Sequence, residues 1–259
     1  MKTITKHLMA GLMLGLTPLL ITNASATSLD LTVAGNDGFV NGAYFIQIDP
    51  QSTGTGVIDP FVRIQNTGTE EGYNASVRPV MPHVKTDPNY THDLQLGDVP
   101  IVNVGGTDYY QFLLDINEPT GRSQRTLSLH EIEIYLSASA LSSAATYADL
   151  TSSATKVWDL DGGAADGDSV IELDYQLNHG SGSGDMFMYI PVATLGTDGS
   201  QFLTLYSAFG NANESADGFE EWAILRAETP PSVPDASSAI ILLGVAMVGL
   251  EGLRRKFRA

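Results

Sequence analysis

The stretch Ile171-Glu-Leu-Asp-Tyr-Gln-Leu177 alternates apolar and polar residues without a break. This is the pattern of a β-strand that buries one face and exposes the other. The stretch Leu127-Ser-Leu-His-Glu-Ile-Glu-Ile-Tyr-Leu136 follows the same period with one interruption, and residues 29–33, 61–65 and 202–206 repeat it. A period of two therefore dominates the chain between its two ends and predicts an all-β domain.

Three further apolar runs, at 109–116, 186–190 and 222–225, do not alternate, and we expect central strands that are buried on both faces. Clusters of Gly, Asn and Asp separate the strands, because these residues accept turn conformations. Short strands with such turns predict one antiparallel β-sandwich of the jelly-roll type over residues 27–229. Residues 138–150, rich in Ala and Ser, are compatible with a helix or a loop.

The N-terminus has the three parts of a secretory signal peptide. Lys2 and Lys6 form a positive start, residues 8–20 an apolar core, and Ala24-Ser25-Ala26 a small-x-small cleavage site. Residues 1–26 are therefore predicted to direct export and to be removed before Thr27.

The C-terminus combines a polar motif, an apolar run and a basic tail. Residues 230–235 form a Pro-rich linker and end in Val233-Pro234-Asp235. Residues 236–253 are long enough, at ~18 residues, to cross a hydrocarbon core of ~30 Å as a helix. The tail 254–259 contains Arg254 and Arg255 and is expected to stay in the cytoplasm. The pattern predicts a transmembrane helix that holds the domain outside the inner membrane.

This tail resembles the PEP-CTERM class of bacterial sorting signals, in the variant that reads Val-Pro-Asp-Ser-Gly. The matching positions are Val233, Pro234, Asp235, Arg254 and Arg255, and the chain departs from the variant at Ala236-Ser237. The resemblance implies that an exosortase recognises the tail in a Gram-negative bacterium that makes exopolysaccharide. It implies a protein that is first anchored in the membrane and then located at the cell surface or in the extracellular matrix.

Charge and cysteine content exclude several classes of function. The chain has 13 Lys+Arg and 30 Asp+Glu residues, of which six basic and two acidic ones lie before residue 27 or after residue 234. The domain between has 7 basic and 28 acidic residues, a net charge of −21. Such a charge argues against nucleic acid and anionic membrane surfaces as partners and is compatible with divalent cations. The absence of cysteine excludes disulfides, thiol catalysis and zinc–thiolate sites.

Two groups of oxygen-bearing side chains are candidate ligands for a structural Ca²⁺, which prefers such oxygens in turns. The first group leaves the end of one strand and consists of Asp115, Asn117 and Glu118. The second group lies in a Gly-rich loop and consists of Asp159, Asp161, Asp166 and Asp168. Asp159 and Asp161 are its primary candidates. Solvated turns without a metal are the alternative interpretation.

No catalytic residues are assigned. Glu220 and Glu221 precede Trp222, but neighbours on a strand face opposite sides, so at most one of them can act on a sugar. The segment 180–184 lacks the serine that a nucleophile elbow needs at its third position. His83 and His92 lack the spacing of a metal-binding motif.

These features favour an exported, exosortase-sorted protein of the cell surface or exopolysaccharide matrix, without catalytic activity. One alternative is a calcium-stabilised module that binds extracellular polysaccharide, since aromatic faces stack on sugar rings. Its candidate aromatic residues are Tyr44, Tyr73, Tyr109 and Trp158. The other alternative is a secreted hydrolase.

Overall fold

The computed structural model describes residues 27–52, 58–119, 125–162, 168–178, 183–210 and 212–226. In these ranges the chain forms strands, two short helices and a 3₁₀ turn at Leu96–Asp98. The helices are α1 (Tyr147–Ser153) and α2 (Val192–Leu195). The strands are β1 (Ser28–Leu31), β2 (Asp37–Val40), β3 (Ala43–Ser52), β4 (Ile58–Ile64), β5 (Thr67–Gly68), β6 (Glu70–Tyr73), β7 (Leu94–Gln95), β8 (Ile101–Val104), β9 (Thr107–Ile116), β10 (Thr126–Ser137), β11 (Thr155–Asp159), β12 (Val170–Asp174), β13 (Ser183–Pro191), β14 (Phe202–Phe209), β15 (Ser215–Ala216) and β16 (Glu220–Leu225).

Two seven-stranded sheets contain nearly all of these strands. The first sheet has the order β1-β12-β10-β14-β6, with β11 paired to β10 and β7 paired to β14. The second sheet has the order β2-β3-β13-β9-β16-β4, with β8 paired to β9. The described ladders are antiparallel apart from the parallel pair of β1 and β12. The all-β, antiparallel prediction is therefore confirmed.

The alternating stretches form strands with one face in the core. On β10, Leu127, Ile132 and Ile134 belong to the main apolar cluster, whereas Glu131 and Glu133 lie on the other face of the strand. A bulge between residues 129 and 131 absorbs the one interruption of the sequence pattern.

The three apolar runs form neighbouring strands, β13, β9 and β16, in the middle of the second sheet. On β9, Phe112 and Leu114 face the main cluster, while Tyr109 and Leu113 belong to a second apolar cluster on the opposite face. The members of this second cluster all come from strands of the second sheet. The prediction of central strands buried on both faces is therefore confirmed.

The two sheets share one apolar core, since the main cluster draws on strands of both. Trp222 on β16 is fully buried in this core. Its indole Nε1–H donates a hydrogen bond of 3.0 Å to the Ser207 hydroxyl oxygen on β14, in the other sheet. This bond gives the otherwise apolar interface between the sheets a polar link with fixed geometry.

The turn at Gly105-Gly106 connects β8 and β9 as a two-residue hairpin loop. Val104 pairs with Thr107, and both glycines have positive φ, 59° and 91°. Positive φ at both positions is the type I′ geometry that matches the twist of the strands and that glycine adopts at low cost.

Residues 138–150, compatible by sequence with a helix or a loop, contain both, since 138–146 are non-helical and α1 follows. The structure begins α1 at Tyr147, because a capping box fixes that start: Thr146 accepts from the Asp149 amide and Asp149 accepts from the Thr146 amide. Residues 138–146 have no helical turn. In the part of the chain that the structure describes, no helix is long and apolar enough to cross a membrane.

Several predicted features lie outside the described residues. They are the signal peptide with Ala24 and Ala26, the linker and sorting motif with Val233, Pro234 and Asp235, the apolar segment 236–253, and the tail with Arg254 and Arg255.

Replacing Trp222 with Phe should lower the free energy of unfolding by about 2–4 kcal/mol. The change leaves the buried Ser207 hydroxyl without its donor and opens a cavity between the sheets. Urea denaturation followed by circular dichroism measures the effect. As a control, Phe39→Leu changes an aromatic side chain that is 63 % exposed, and we expect a loss below about 1 kcal/mol. Equal losses in the two variants would contradict the inter-sheet role of Trp222.

Candidate functional site

The outward face of the first sheet carries a connected group of carboxylate, tyrosine and lysine side chains, here named the acidic network. Successive side chains of β10 face opposite sides of the sheet, so its glutamates lie on the face away from the core. Helix α1 and strand β11 supply the partners from either side. The members of the network are Glu131, Glu133, Tyr135, Tyr147 and Lys156.

Glu133 is the centre of the acidic network. Its Oε2 accepts hydrogen bonds from the Tyr135 hydroxyl at 2.8 Å and from the Tyr147 hydroxyl at 2.7 Å. Its Oε1 accepts from Lys156 Nζ at 2.9 Å. The side chain is only 6 % exposed, so three donors replace the water that it loses on burial. A carboxylate held in this way is fixed in position and already engaged at both oxygens.

Glu131 lies on the same strand face but in a different environment. Burial raises the pKa of its carboxyl to about 7, with further increases from the negative charges of Asp161 and Glu133. A half-buried carboxyl with a pKa near neutrality can accept and release a proton at physiological pH. The outward face of β10 thus carries the Glu131 carboxyl, whose pKa is raised, and two residues further on the hydrogen-bonded carboxylate of Glu133.

Glu131 and Glu133 were not among the site residues predicted from the sequence, although the sequence contains a signal for them. Two glutamates spaced by two residues in an alternating strand share one face of the sheet. The alternation does not reveal the partners of these glutamates, because Tyr147 lies on α1 and Lys156 on β11.

The predicted ligands Asp159 and Asp161 border the acidic network. Asp159 ends β11 and forms an ion pair with Lys156, with 3.0 Å between Nζ and Oδ2. Asp161 Oδ1 accepts a hydrogen bond of 2.7 Å from the Ser169 amide. Asp159 is thus already paired with a cation of the protein. Asp166, from the same predicted group, lies outside the described residues.

Of the predicted group Asp115, Asn117 and Glu118, only Asp115 lies on β9, and the other two residues follow the end of the strand at Ile116. Asp115 pairs with Glu221 on the outward face of the second sheet, and Asn117 Nδ2 lies 3.4 Å from Asp115 Oδ1. Glu118 instead accepts a hydrogen bond of 2.9 Å from the Ala216 amide. Asp115 and Asn117 are therefore in contact, whereas Glu118 is hydrogen-bonded to β15.

Among the residues that the structure describes, no group of three or more His, Asp or Glu side chains could hold a metal ion. A structural calcium ion at the two sequence groups therefore stays a prediction.

Several acidic side chains of the described residues are buried. Glu70, Glu118 and Glu220 are at most 3 % exposed, and each has a carboxyl oxygen without a hydrogen-bond partner in the described part of the chain. Burial raises the pKa of Glu70 to about 8, with smaller increases from Glu118 and Asp217, while the Asn66 amide hydrogen bond and the positive charge of Lys85 oppose the shift. Burial similarly raises the pKa of Asp185 well above its ordinary value. Burial therefore favours the neutral form of these carboxyls.

The pair Glu220 and Glu221 occupies the two faces of β16, as the sequence predicts. Glu221 faces outward and binds Arg63, with 2.7 Å between Nε and Oε2. Glu220 is fully buried. Since Trp222 is in the core, the pair marks the entry to a strand and does not form a facing pair of carboxylates.

Three of the four aromatic residues predicted to stack on sugars are buried. Tyr73 belongs to the core and donates its hydroxyl to the Thr146 carbonyl at 2.8 Å. Trp158 is a core residue whose Nε1–H donates to the Asn41 carbonyl at 2.9 Å. Tyr109 is in the second apolar cluster, where Tyr44 packs half-buried. Tyr44 alone of the four keeps a substantial exposed surface.

Comparison with known proteins adds no family to these observations. No family model, no curated protein and no solved structure matches this chain. Its function therefore has to be argued from its own residues.

The pKa of Glu70 makes the stability of the domain depend on pH. Below its ordinary pKa of 4.5, Glu70 is protonated in both the folded and the unfolded chain. Between 4.5 and about 8 the unfolded chain ionises while the folded chain does not, so the free energy of unfolding falls as pH rises. We expect a loss of about 2–4 kcal/mol on going from about pH 5 to about pH 8.5, measured by thermal unfolding at a series of pH values.

The variant Glu70→Gln tests the assignment, because glutamine keeps the acceptor for the Asn66 amide and cannot ionise. It should flatten the pH dependence and stabilise the protein at alkaline pH. Glu214→Gln, at an exposed position, is the control and should leave the slope unchanged. An unchanged slope in Glu70→Gln would show that another group causes the dependence.

Proposed function

We propose that this protein is exported, recognised by an exosortase through its C-terminus, and placed at the cell surface or in the exopolysaccharide matrix, where it acts without catalysis. The observation that supports this proposal is the order of the C-terminal parts. Val233-Pro234-Asp235 precedes the apolar segment 236–253, and Arg254 and Arg255 follow it. A membrane-embedded processing enzyme needs this order to hold its substrate and cut on the outer side.

The N-terminus supports the same route. A signal peptide that ends at Ala26 exports the chain, and the apolar segment 236–253 then stops transfer in the inner membrane. The domain between has 28 acidic and 7 basic residues and no cysteine. Its folding thus depends on the apolar core of the two sheets and on no disulfide.

The proposal includes a jelly-roll type of sandwich for this domain. Consecutive strands cross between the two sheets: β9 and β10 lie in different sheets, as do β12, β13 and β14 at each step. Repeated crossing of this kind is typical of jelly rolls, in which two antiparallel sheets enclose one core.

Substituting Asp235 with Ala should block removal of the C-terminal segment in a host that contains the exosortase. Intact-mass spectrometry of the protein from outer and inner fractions measures the result. The wild-type chain should begin at Thr27 and lack the tail, whereas the variant should begin at Thr27 and keep the apolar segment 236–253 in the inner membrane.

Glu228→Ala is the matched control, since it removes one acidic residue close to the motif but outside it. It should be processed like the wild type. If Asp235→Ala and the wild type give the same C-terminal mass, the motif does not direct sorting.

A further inference from the structure

A pocket of about 280 Å³ opens beside the edge of the second sheet, where β4 meets the loop that follows β6 and the start of β16. Pockets for drug-sized ligands measure about 300–1,000 Å³, so this one has room for a single ring-sized unit. Its lining residues are Arg63, Gln65, Lys85, Thr86, Asp87, Tyr90 and Phe219. The pocket therefore combines two basic and two aromatic side chains with one carboxylate, Asp87, and with hydroxyl and amide groups.

Arg63 is fixed in this pocket. Its guanidinium carbon lies 3.5 Å from the centroid of the Tyr90 ring and 4.3 Å from that of the Phe219 ring. Its Nε and Nη2 bind the buried carboxylate of Glu221. Nη1 makes no hydrogen bond to any described residue. The stacked and ion-paired guanidinium thus presents one pair of N–H donors in a defined direction.

Lys85 supplies a second cation to the same pocket. Its amide donates to the Arg63 carbonyl at 2.9 Å, which holds the two residues side by side. Its half-buried ammonium forms no ion pair or side-chain hydrogen bond with any described residue. In the same described ranges the other basic side chains are engaged: Arg63, Arg125, Lys156 and Arg226 by carboxylates, and Arg78 by backbone carbonyls. An unpaired ammonium is unexpected where carboxylates are in such excess.

The remaining lining groups suit a polyhydroxylated ring. Gln65 donates its Nε2–H to the Asp217 carbonyl at 2.9 Å, and this bond orients the amide. The hydroxyls of Thr86 and Tyr90 lie in the same lining. Tyr90 and Phe219 add apolar surface of the kind that packs against the C–H face of a sugar. Two cationic donors, neutral polar groups and aromatic walls suit a sugar that bears a carboxylate, and the Asp87 carboxylate is an acceptor for the hydroxyl groups of such a ring.

We propose that this pocket binds a hexuronate unit of an acidic polysaccharide, with its carboxylate between Arg63 Nη1 and Lys85 Nζ. Charge-assisted hydrogen bonds to the carboxylate give the affinity, and the aromatic walls and hydroxyl contacts select a sugar over other carboxylates. The negative charge of the rest of the domain is screened beyond about 8–10 Å at physiological ionic strength, so the charges at the pocket itself decide binding: Arg63 and Lys85, with Glu221 bound to Arg63 and Asp87 in the lining. The inference rests on the proposed function, in that an exported matrix protein encounters such polymers.

The test uses the full chain, purified in detergent, and isothermal titration calorimetry with trigalacturonate. Maltotriose is the neutral comparison and triglutamate the non-sugar comparison. Trigalacturonate should bind at least about tenfold more tightly than either, because only it offers both a carboxylate and sugar rings. Equal binding of triglutamate would overturn the sugar assignment, and no binding of trigalacturonate at millimolar concentration would overturn the site.

Lys85→Met removes the unpaired charge and keeps the length of the side chain. It should raise the Kd for trigalacturonate at least about tenfold and change the unfolding midpoint only slightly, since the Lys85 ammonium makes no ion pair among the described residues and acts on the buried Glu70 carboxyl only through space. Arg226→Gln is the matched control: it removes one positive charge from an exposed ion pair with Asp59, outside the pocket lining. A Kd that stays the same in Lys85→Met, or that rises equally in Arg226→Gln, would overturn the proposal.

The sorting variant Asp235→Ala separates this proposal from the one on which it rests. It should bind trigalacturonate like the wild type, because the motif lies outside the pocket. Normal sorting without uronate binding would overturn the pocket alone, whereas uronate binding with unaltered processing of Asp235→Ala would overturn the sorting proposal alone.

Discussion

The burial of both faces of β9 and its neighbours β13 and β16 is the constraint on which the rest of the structure depends. These strands contribute Phe112, Leu114 and Trp222 to the core between the sheets. The opposite face contributes Leu113 and Ala223, both fully buried, to the second apolar cluster. A chain without cysteine and with a large excess of carboxylates has no covalent link to oppose charge repulsion, so this apolar contact has to stabilise the folded domain.

Because the domain has few basic residues, only some of its buried carboxylates lie beside a cation. Glu133 and Glu221 are buried beside Lys156 and Arg63, and each receives charge-assisted hydrogen bonds. Glu70 has no such cation in contact and is held by a backbone amide, with its pKa raised. The other described basic side chains bind carboxylates or backbone carbonyls, whereas Lys85 makes no ion pair among the described residues and acts on Glu70 only through space, which is why it points to a ligand.

The strands were predictable from the sequence because both strand patterns depend on side-chain polarity alone. Alternation identified β10 and β12, and continuous apolar runs identified β9, β13 and β16. The start of α1 was missed although Thr146 and Asp149 have the spacing of a capping box, because Ala and Ser around it favour no single structure. The candidate calcium ligands were chosen by closeness in sequence, which does not reveal their contacts: Asp115 is hydrogen-bonded to Asn117, whereas Glu118 accepts from the Ala216 amide. The Arg63 pocket brings together residues from distant parts of the chain, which no local pattern reveals.

Native-state hydrogen exchange of the full chain tests the central constraint most directly. If the doubly buried strands hold the domain together, the amides of residues 111–114 on β9 exchange only through global unfolding, with the highest opening free energies of the molecule. The edge strands β1 and β6 should exchange through smaller, local openings. Amides of β9 that exchange as fast as those of the edge strands would contradict the account.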